Sequence, residues 1–214
     1  ARLEMTGDLL RAFQSDLMMN VRGTPINLVG VRNAIQIVED YTEKVTKQFK
    51  KLTGVNPTQG AKVLQWLQER GYPGMDLTAS VVKWALSLPP PERGKEGMTP
   101  EAVTALKLKT LVSFAATKKL FTMRDAACAD GAVHGSIMFY GAHTGRSSGK
   151  LIQIHNFKRS ILGTDHQGIP LTHQVAQCIT DGTVNGDDIE TLWGEPLSVI
   201  ASAIRHFIDP GPGK

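Results

Sequence analysis

The sequence has few of the features that mark specialised protein classes. Only two cysteines occur in 214 residues, Cys128 and Cys178, in unrelated contexts and with no Cys-x-x-Cys spacing. A disulfide framework or a thiolate zinc site is therefore not expected, and a reducing, cytoplasmic compartment fits best. Aromatic residues make up 6% of the chain. No apolar run approaches the roughly 20 residues that a membrane-spanning helix needs. The opening "ARLEMTGDLLRAF" has no secretory core, and because it starts with Ala1 rather than Met, a natural start is not expected there.

Signatures of catalysis are equally sparse. "GRSSGK" invites comparison with a phosphate-binding loop, but only three residues separate Gly145 from Gly149 where four are required. Leu151 also stands where a magnesium-binding hydroxyl belongs. The six histidines (134, 143, 155, 166, 173 and 206) never pair at helical spacing, so scattered loop and strand histidines are expected rather than a metal site. No G-x-S-x-G elbow surrounds Ser147 or Ser148. The acids lie in polar loops or among lysines, not as a pair on an apolar strand, and Asp187 and Asp188 read as a helix N-terminus.

What is present is an uneven distribution of charge. The chain carries a net +4 overall, yet residues 104–160 hold nine Lys/Arg against two Asp, a net of +7. Residues 161–201 contain no Lys or Arg and six acids, a net of −6. A basic block of this kind is the electrostatic footprint of an anionic partner.

Hydrophobic periodicity predicts a helical first half. Helices are expected over 4–20, from about Asn27 to a Gly54 C-cap, over "NPTQGAKVLQWLQERG" with Asn56 or Thr58 as N-cap, and over "LTASVVKWALSL". The segment 89–98, "PPPERGKEGM", reads as flexible. Thr99 as N-cap and Pro100 at the first helical position start a helix expected to run about thirty residues, about 45 Å. It would display Lys107, Lys109, Lys118, Lys119 and Arg124. "AVHGSIMFYG" then alternates like a strand, entered through Asp130-Gly131. Residues 177–191 read as a polar loop with one turn of helix, and "PLSVIASAIRHFI" as an amphipathic helix or helix-strand junction. The expected fold class is α+β.

The stretch 139–159, "FYGAHTGRSSGKLIQIHNFKR", concentrates binding chemistry. Arg146 follows a turn glycine that lets backbone approach another molecule closely. Thr144, Ser147, Ser148, Lys150 and Arg159 offer donors to phosphate oxygens, and Lys118 and Lys119 add cations from the preceding helix. Gln153, His155 and Asn156 can reach base edges or sugars, where the minor groove presents acceptors at similar positions for every base pair. These groups describe a grip on duplex DNA that is independent of sequence.

That stretch resembles a segment of the family A DNA polymerases, the bacterial DNA polymerase I group and its phage relatives. Phage members carry F/Y-Y/H-G-A-x-T-G-R-x-x-G-R-L-x-Q-P-Q-N-L-P-R, and Thr144, Gly145, Arg146, Gly149, Leu151, Gln153 and Asn156 stand at matching positions. "NVRGTPINLVGVRNAIQIV" is similar to the family's R-N-G-V-x-I-D segment leading into the thumb. "NPTQGAKVLQWLQERG" resembles a short thumb helix, and the helix with "TKKL" a second one. "SAIRHFIDP" resembles the x-x-I-R-x-A-F-I-A-P segment that precedes the first catalytic motif. His155 departs from the usual Gln and Lys158 from the usual Pro, while Gln153 follows the phage choice.

The resemblance implies a mainly helical thumb at 27–129 after a leading segment 1–26, and the first, antiparallel β part of the palm at 130–214 with an acidic insertion at about 160–200. It implies that Arg146 probes the minor groove at the primer terminus, that Gln153, His155 and Asn156 track template and primer, and that Lys118 and Lys119 face the duplex backbone. Partners would be primer-template DNA, a dNTP, and a further polymerase chain or segment carrying the fingers and the rest of the palm. That segment would hold Mg2+ on aspartates for which this chain has no counterpart, so the chain alone is not expected to polymerise. A phage-infected or prophage-bearing bacterial cell is the expected setting. Two readings of other classes stand beside this one: a non-enzymatic helical nucleic-acid-binding module, and an assembly domain whose basic block is only a solvated face.

Overall fold

In the computed structural model, residues 7–89 and 97–209 are described. Most of the proline-rich segment expected to be flexible thus lies outside the described residues, as do residues 4–6 of the first expected helix. The chain is α+β. Among the described residues nine α-helices accompany four two-residue strands, which form two antiparallel pairs. No helix among them is long and apolar enough to cross a membrane.

The chain divides into two compact units, one of residues 1–38 and 116–214, the other of residues 39–115. The division falls within helix α2 (Leu28–Thr53). The second unit is all helical, with the C-terminal part of α2, α3 (Gly60–Gln68), α4 (Ala79–Ser87) and α5 (Pro100–Val112). Phe49, Val63, Leu67, Val82, Ala85, Ala102, Ala105 and Leu106 form its core. The helical spacing of these residues is what made the elements readable in the sequence. Thr99 accepts a hydrogen bond from the Ala102 N–H, and Pro100 occupies the first turn, as expected. Neither Asn56 nor Thr58 caps α3. Gln59 holds the cap position, and the Asn56 side chain instead accepts from the Thr58 N–H in a local turn.

The thirty-residue helix expected after Thr99 is broken. Helix α5 ends at Val112, and α6 starts afresh at Lys118 and runs to Ala126. Ser113 leaves helical geometry at ψ 7°, its N–H still bonded to the Lys109 carbonyl, while its hydroxyl accepts from the Lys109 ammonium. Ser, Ala and Thr carry no strong stop signal, so periodicity passed over the break. The two pieces bury their faces in different units: Ala102, Ala105 and Leu106 in one, Leu120 and Met123 in the other.

The first unit begins with α1 (Gly7–Arg22), which leads to strand β1 (Thr24–Pro25). β1 pairs with β2 (Ala132–Val133), Thr24 opposite Val133. The single strand expected at 132–141 is two strands in different sheets. At Gly135 the backbone turns to φ +67°, and β3 (Ile137–Met138) pairs instead with β4 (Ser148–Gly149). Residues 177–191 are not a loop. Helix α7 (Leu171–Thr180) and α8 (Gly186–Trp193) both pack on α9 (Pro196–Ala203). Val175, Ala176, Ile179 and Ile189 supply the buried faces, too few apolar positions among polar ones to register as periodic. Asn185 and Asp188 form a reciprocal capping box on α8, the helix start anticipated at Asp187 and Asp188.

Helix α9 is buried nearly all round rather than amphipathic, and it continues through a 3-10 turn (Ile204–Phe207) to an antiparallel bridge between Ile208 and Ile26. The start of α2 docks here through backbone chemistry. The Asn33 amide donates to the last carbonyls of α7, at Ile179 (3.0 Å) and Thr180 (3.2 Å), groups that a helix end leaves unpaired.

Candidate nucleic-acid interface

The hairpin β3–β4 carries the central motif at its tip. The Ala142 N–H donates to the Arg146 carbonyl (3.0 Å), and the Gly145 N–H donates to the Ala142 carbonyl (2.9 Å). Residues 143–145 thus form a three-residue loop whose last residue, Gly145, takes φ +79°, the left-handed position that such hairpins require. A side chain there would also meet the Tyr140 ring at 3.0 Å. The local sequence therefore dictates a turn that projects Thr144 and Arg146 outward, both exposed. Among the described residues the Arg146 guanidinium has no hydrogen-bond or ion-pair partner.

One face of α1 holds the hairpin. Phe13, Asp16 and Asn20 recur at helical spacing, and each meets a different part of it. The Phe13 ring packs edge-on against Phe139 at 5.3 Å. The Ser147 hydroxyl donates to the Asp16 carboxylate, which is 8% exposed. Asn20 acts as a surrogate strand, accepting from the Ile137 N–H (2.9 Å) and donating to its carbonyl (2.7 Å). Ser147 was expected to be a free phosphate donor, but in the structure its hydroxyl is committed to Asp16. Ser148 lies in β4, opposite Met138.

After β4 the chain turns sharply, with Leu151 and Gln153 both at positive φ, into a 3-10 turn at Ile154–Asn156. This turn gathers a second group of residues. The His155 ring lies against Gly149, where an added Cβ would sit 2.1 Å from its Cε1. The Asn156 amide donates to the Gln153 side-chain oxygen (3.0 Å), and the Lys119 ammonium donates to the Asn156 carbonyl (2.9 Å). Lys119 also sits 4.9 Å from the Phe157 ring centre, and burial lowers its pKa. Lys119 is therefore a brace for this turn. Lys118, Lys150 and Arg159 are exposed, and their charged groups have no partner among the described residues.

The expected residues thus fall into two sets. Thr144 and Arg146 occupy the tip, whereas Gln153, His155, Asn156 and Lys119 form the turn beyond β4. Among the described residues no hydrogen bond or ring contact links the sets. The row of five cations expected on one helix is divided by the break at 113–117. Lys107 and Lys109 belong to one unit and Lys118, Lys119 and Arg124 to the other. Several acids of residues 161–201 act as local caps. Asp165 accepts from the Gln167 and Ile169 N–H groups, and Glu195 caps α9 through Leu197 and Ser198.

Asp16 and Asn20 were missed by sequence reasoning. Their signal was a polar stripe in register with Phe13, legible only once α1 has something to face. His134 was missed as well. Its Nδ1 lies 3.2 Å from the Asn20 carbonyl and its Nε2 2.9 Å from the Asp130 carboxylate. Both partners only accept, so the imidazolium with two N–H groups is the form that satisfies them. The hydrogen bond to Asp130 raises the His134 pKa above its ordinary value, outweighing desolvation. The same bond holds the Asp130 carboxyl below the usual range. The pair fastens the C-terminus of α1 to the segment between β2 and β3.

Comparison with known proteins yields one clear relation. No family model and no solved structure matches the chain. A protein of Bacillus phage SP02 described as "DNA polymerase" is 31% identical over 204 residues, which is 92% of this chain and 28% of the phage protein. The chain thus spans less than a third of that relative's length. Over nearly its whole extent, this chain is related to a segment of a phage DNA polymerase.

Proposed function

We propose that the chain is the DNA-gripping thumb and first palm portion of a family A, template-directed DNA polymerase. The observation that carries the reading is the Arg146 guanidinium, exposed and without a partner among the described residues at the tip of a hairpin, in a chain related to a DNA polymerase. In this reading Arg146 enters the minor groove at the primer terminus, where acceptors shared by all base pairs let one donor test pair shape without reading sequence. Thr144 supports the tip. Gln153, His155 and Asn156 follow the strands beside it, with Lys119 holding their turn in shape. Lys118, Lys150, Arg159 and Ser148 contact phosphates. Ser147 acts indirectly, by tying the hairpin to Asp16.

Nucleotidyl transfer needs magnesium, and the described residues of this chain do not fit it. Among the described residues no three His, Cys, Asp or Glu side chains come together. Asp188 and Glu195 are occupied as helix caps. The proposal assigns the metal, the dNTP site and the fingers to a further chain or segment, and derives no chemical step here.

Two measurements test the reading. The affinity of the chain for a primer-template duplex is expected to fall steeply and log-linearly with salt, as phosphate contacts release counterions. Primer extension with magnesium and deoxynucleotides is expected only when the chain is combined with the missing palm and fingers residues. Salt-insensitive binding, or a combined preparation that binds DNA yet gains nothing from this chain, overturns the proposal.

A further inference from the structure

Helix α4 has an outer side poorly suited to water. Of its nine residues only Val82 and Ala85 are buried, and Lys83 is its one charge. Trp84 and the capping residue Leu88 are 49% and 40% exposed. A surface helix ordinarily turns charged and polar groups to solvent, and exposed apolar area of this kind marks a surface that another molecule covers. Between α4 and the end of α5, within the second unit, lies a groove of about 730 Å3. Leu77, Val82, Leu86 and Phe114 make it apolar. Ala79, Val82, Lys83 and Leu86 recur at helical spacing and form one wall over about 10 Å, two helical turns. Lys83 stands on that wall and Lys109 on the wall of α5, and among the described residues no carboxylate lines the groove. The Lys83 ammonium is exposed and has no partner among the described residues. The Lys109 ammonium donates to the Ser113 hydroxyl (2.7 Å), which leaves two of its three N–H groups unpaired among the described residues. Burial lowers its pKa, so this cation is short of the solvation that a carboxylate would supply.

We propose that this groove docks an amphipathic helix of a second protein, its apolar stripe flanked by aspartate or glutamate. Such a helix offers anchors at i, i+3 or i+4, and i+7, a span of about 10 Å that equals the wall of α4. Carboxylates beside the stripe then meet Lys83 on one side and Lys109 on the other, and complementary charge fixes the register of the docked helix. Charge also selects this occupant over others. A second copy of the chain in a two-fold contact would set Lys83 and Lys109 against the same cations. A nucleic-acid strand would satisfy the lysines but leave Leu77, Val82, Leu86 and Phe114 without apolar cover. An acidic amphipathic helix satisfies both. The groove belongs to a different unit from Arg146, and the proposal does not depend on the polymerase reading.

The test is fluorescence anisotropy of the chain with labelled synthetic peptides of about four helical turns. One carries leucines at i, i+3, i+4 and i+7 flanked by glutamates, a second has lysines in place of the glutamates, and a third is the acidic peptide broken by a central proline. Saturable, micromolar binding of the acidic helix is expected, about tenfold or more tighter than either control. Lys83→Glu should weaken it about 5- to 10-fold and raise the affinity for the lysine peptide. Ala79→Trp should abolish binding by filling the groove. Both positions are exposed, so each variant is expected to fold, and thermal melting verifies it. The assay contains neither DNA nor magnesium, so its outcome is separate from that of the DNA grip. A primer-template duplex added afterwards should leave the peptide bound. Failure of the acidic helix to bind, equal binding of the lysine peptide, indifference to Lys83→Glu and Ala79→Trp, or displacement by duplex at equal concentration overturns the proposal. Sedimentation of the chain alone covers the remaining occupant: self-association that Ala79→Trp abolishes assigns the groove to a second copy and overturns it too.

Discussion

The contact between Asp16 and Ser147 is the most direct test of how α1 holds the hairpin. The two residues are 131 positions apart, so the bond exists only in the folded chain. A hydrogen bond to a charged group contributes about 1.5–3 kcal/mol when well shielded. Ser147 is exposed and water can replace part of the bond, which argues for the lower end, about 1–2 kcal/mol of coupling. At about 2–4 °C per kcal/mol for a chain of this size, Asp16→Ala should lower the melting temperature by about 2–8 °C. Ser147→Ala should cost at least as much, because it leaves the buried Asp16 carboxylate without its partner, whereas Asp16→Ala leaves an exposed hydroxyl that water can solvate. The assay is a double-mutant cycle by urea denaturation with Asp16→Ala, Ser147→Ala and the pair. Adding Ser147→Ala to Asp16→Ala should then change little. If the two losses add within about 0.3–0.5 kcal/mol, the residues act independently and the latch does not exist.

Further predictions concern pH, packing and DNA. Folded His134 keeps its proton above the ordinary value of 6.5, so its contribution to stability is complete below that pH and is lost as pH rises through the raised folded value. Urea titrations should show the gap between the native chain and His134→Gln closing at alkaline pH, and a constant gap refutes the pairing. Half-buried His206 behaves oppositely. Burial first, then the charges of His173 and Arg205, lower its pKa, so its contribution holds above 6.5 and is lost as pH falls through the depressed value. Gly30→Ala should destabilise by about 1–3 kcal/mol, since its Cβ would stand 2.5 Å from Thr180 Oγ1 and 2.7 Å from the Phe207 ring; an unchanged melting temperature contradicts that packing. In the reconstituted enzyme Arg146→Ala should reduce primer extension by orders of magnitude yet leave duplex affinity within a few-fold, as one groove contact is worth about 1–3 kcal/mol. Lys118→Ala should instead weaken binding to every duplex alike, and equal effects from both substitutions refute the division of roles.

How much could be read in advance depended on the range of the interaction. Caps and turns are settled by neighbouring residues, which is why Thr99-Pro100, Asp187-Asp188 and the Thr144-Gly145-Arg146 turn were legible. The break at 113–117 was not, because Ser, Ala and Thr permit a helix and only burial in two different units ends it. The helices at 171–193 were obscured by polar and acidic residues whose role is to cap helix ends, a function that looks like a loop in composition. The candidate site was legible as a list of donors, but not in its division between a tip and a braced turn.

The sequence by itself determined the helical character of the first half, the turn at Gly145 and the outward course of Arg146, since each follows from the conformational preferences of a few adjacent residues. Only the tertiary structure decided that Ser147 faces Asp16 and that Asn20 completes the edge of β3. Those facts join residues more than a hundred positions apart, and such pairings arise from packing the whole unit, which no local propensity encodes.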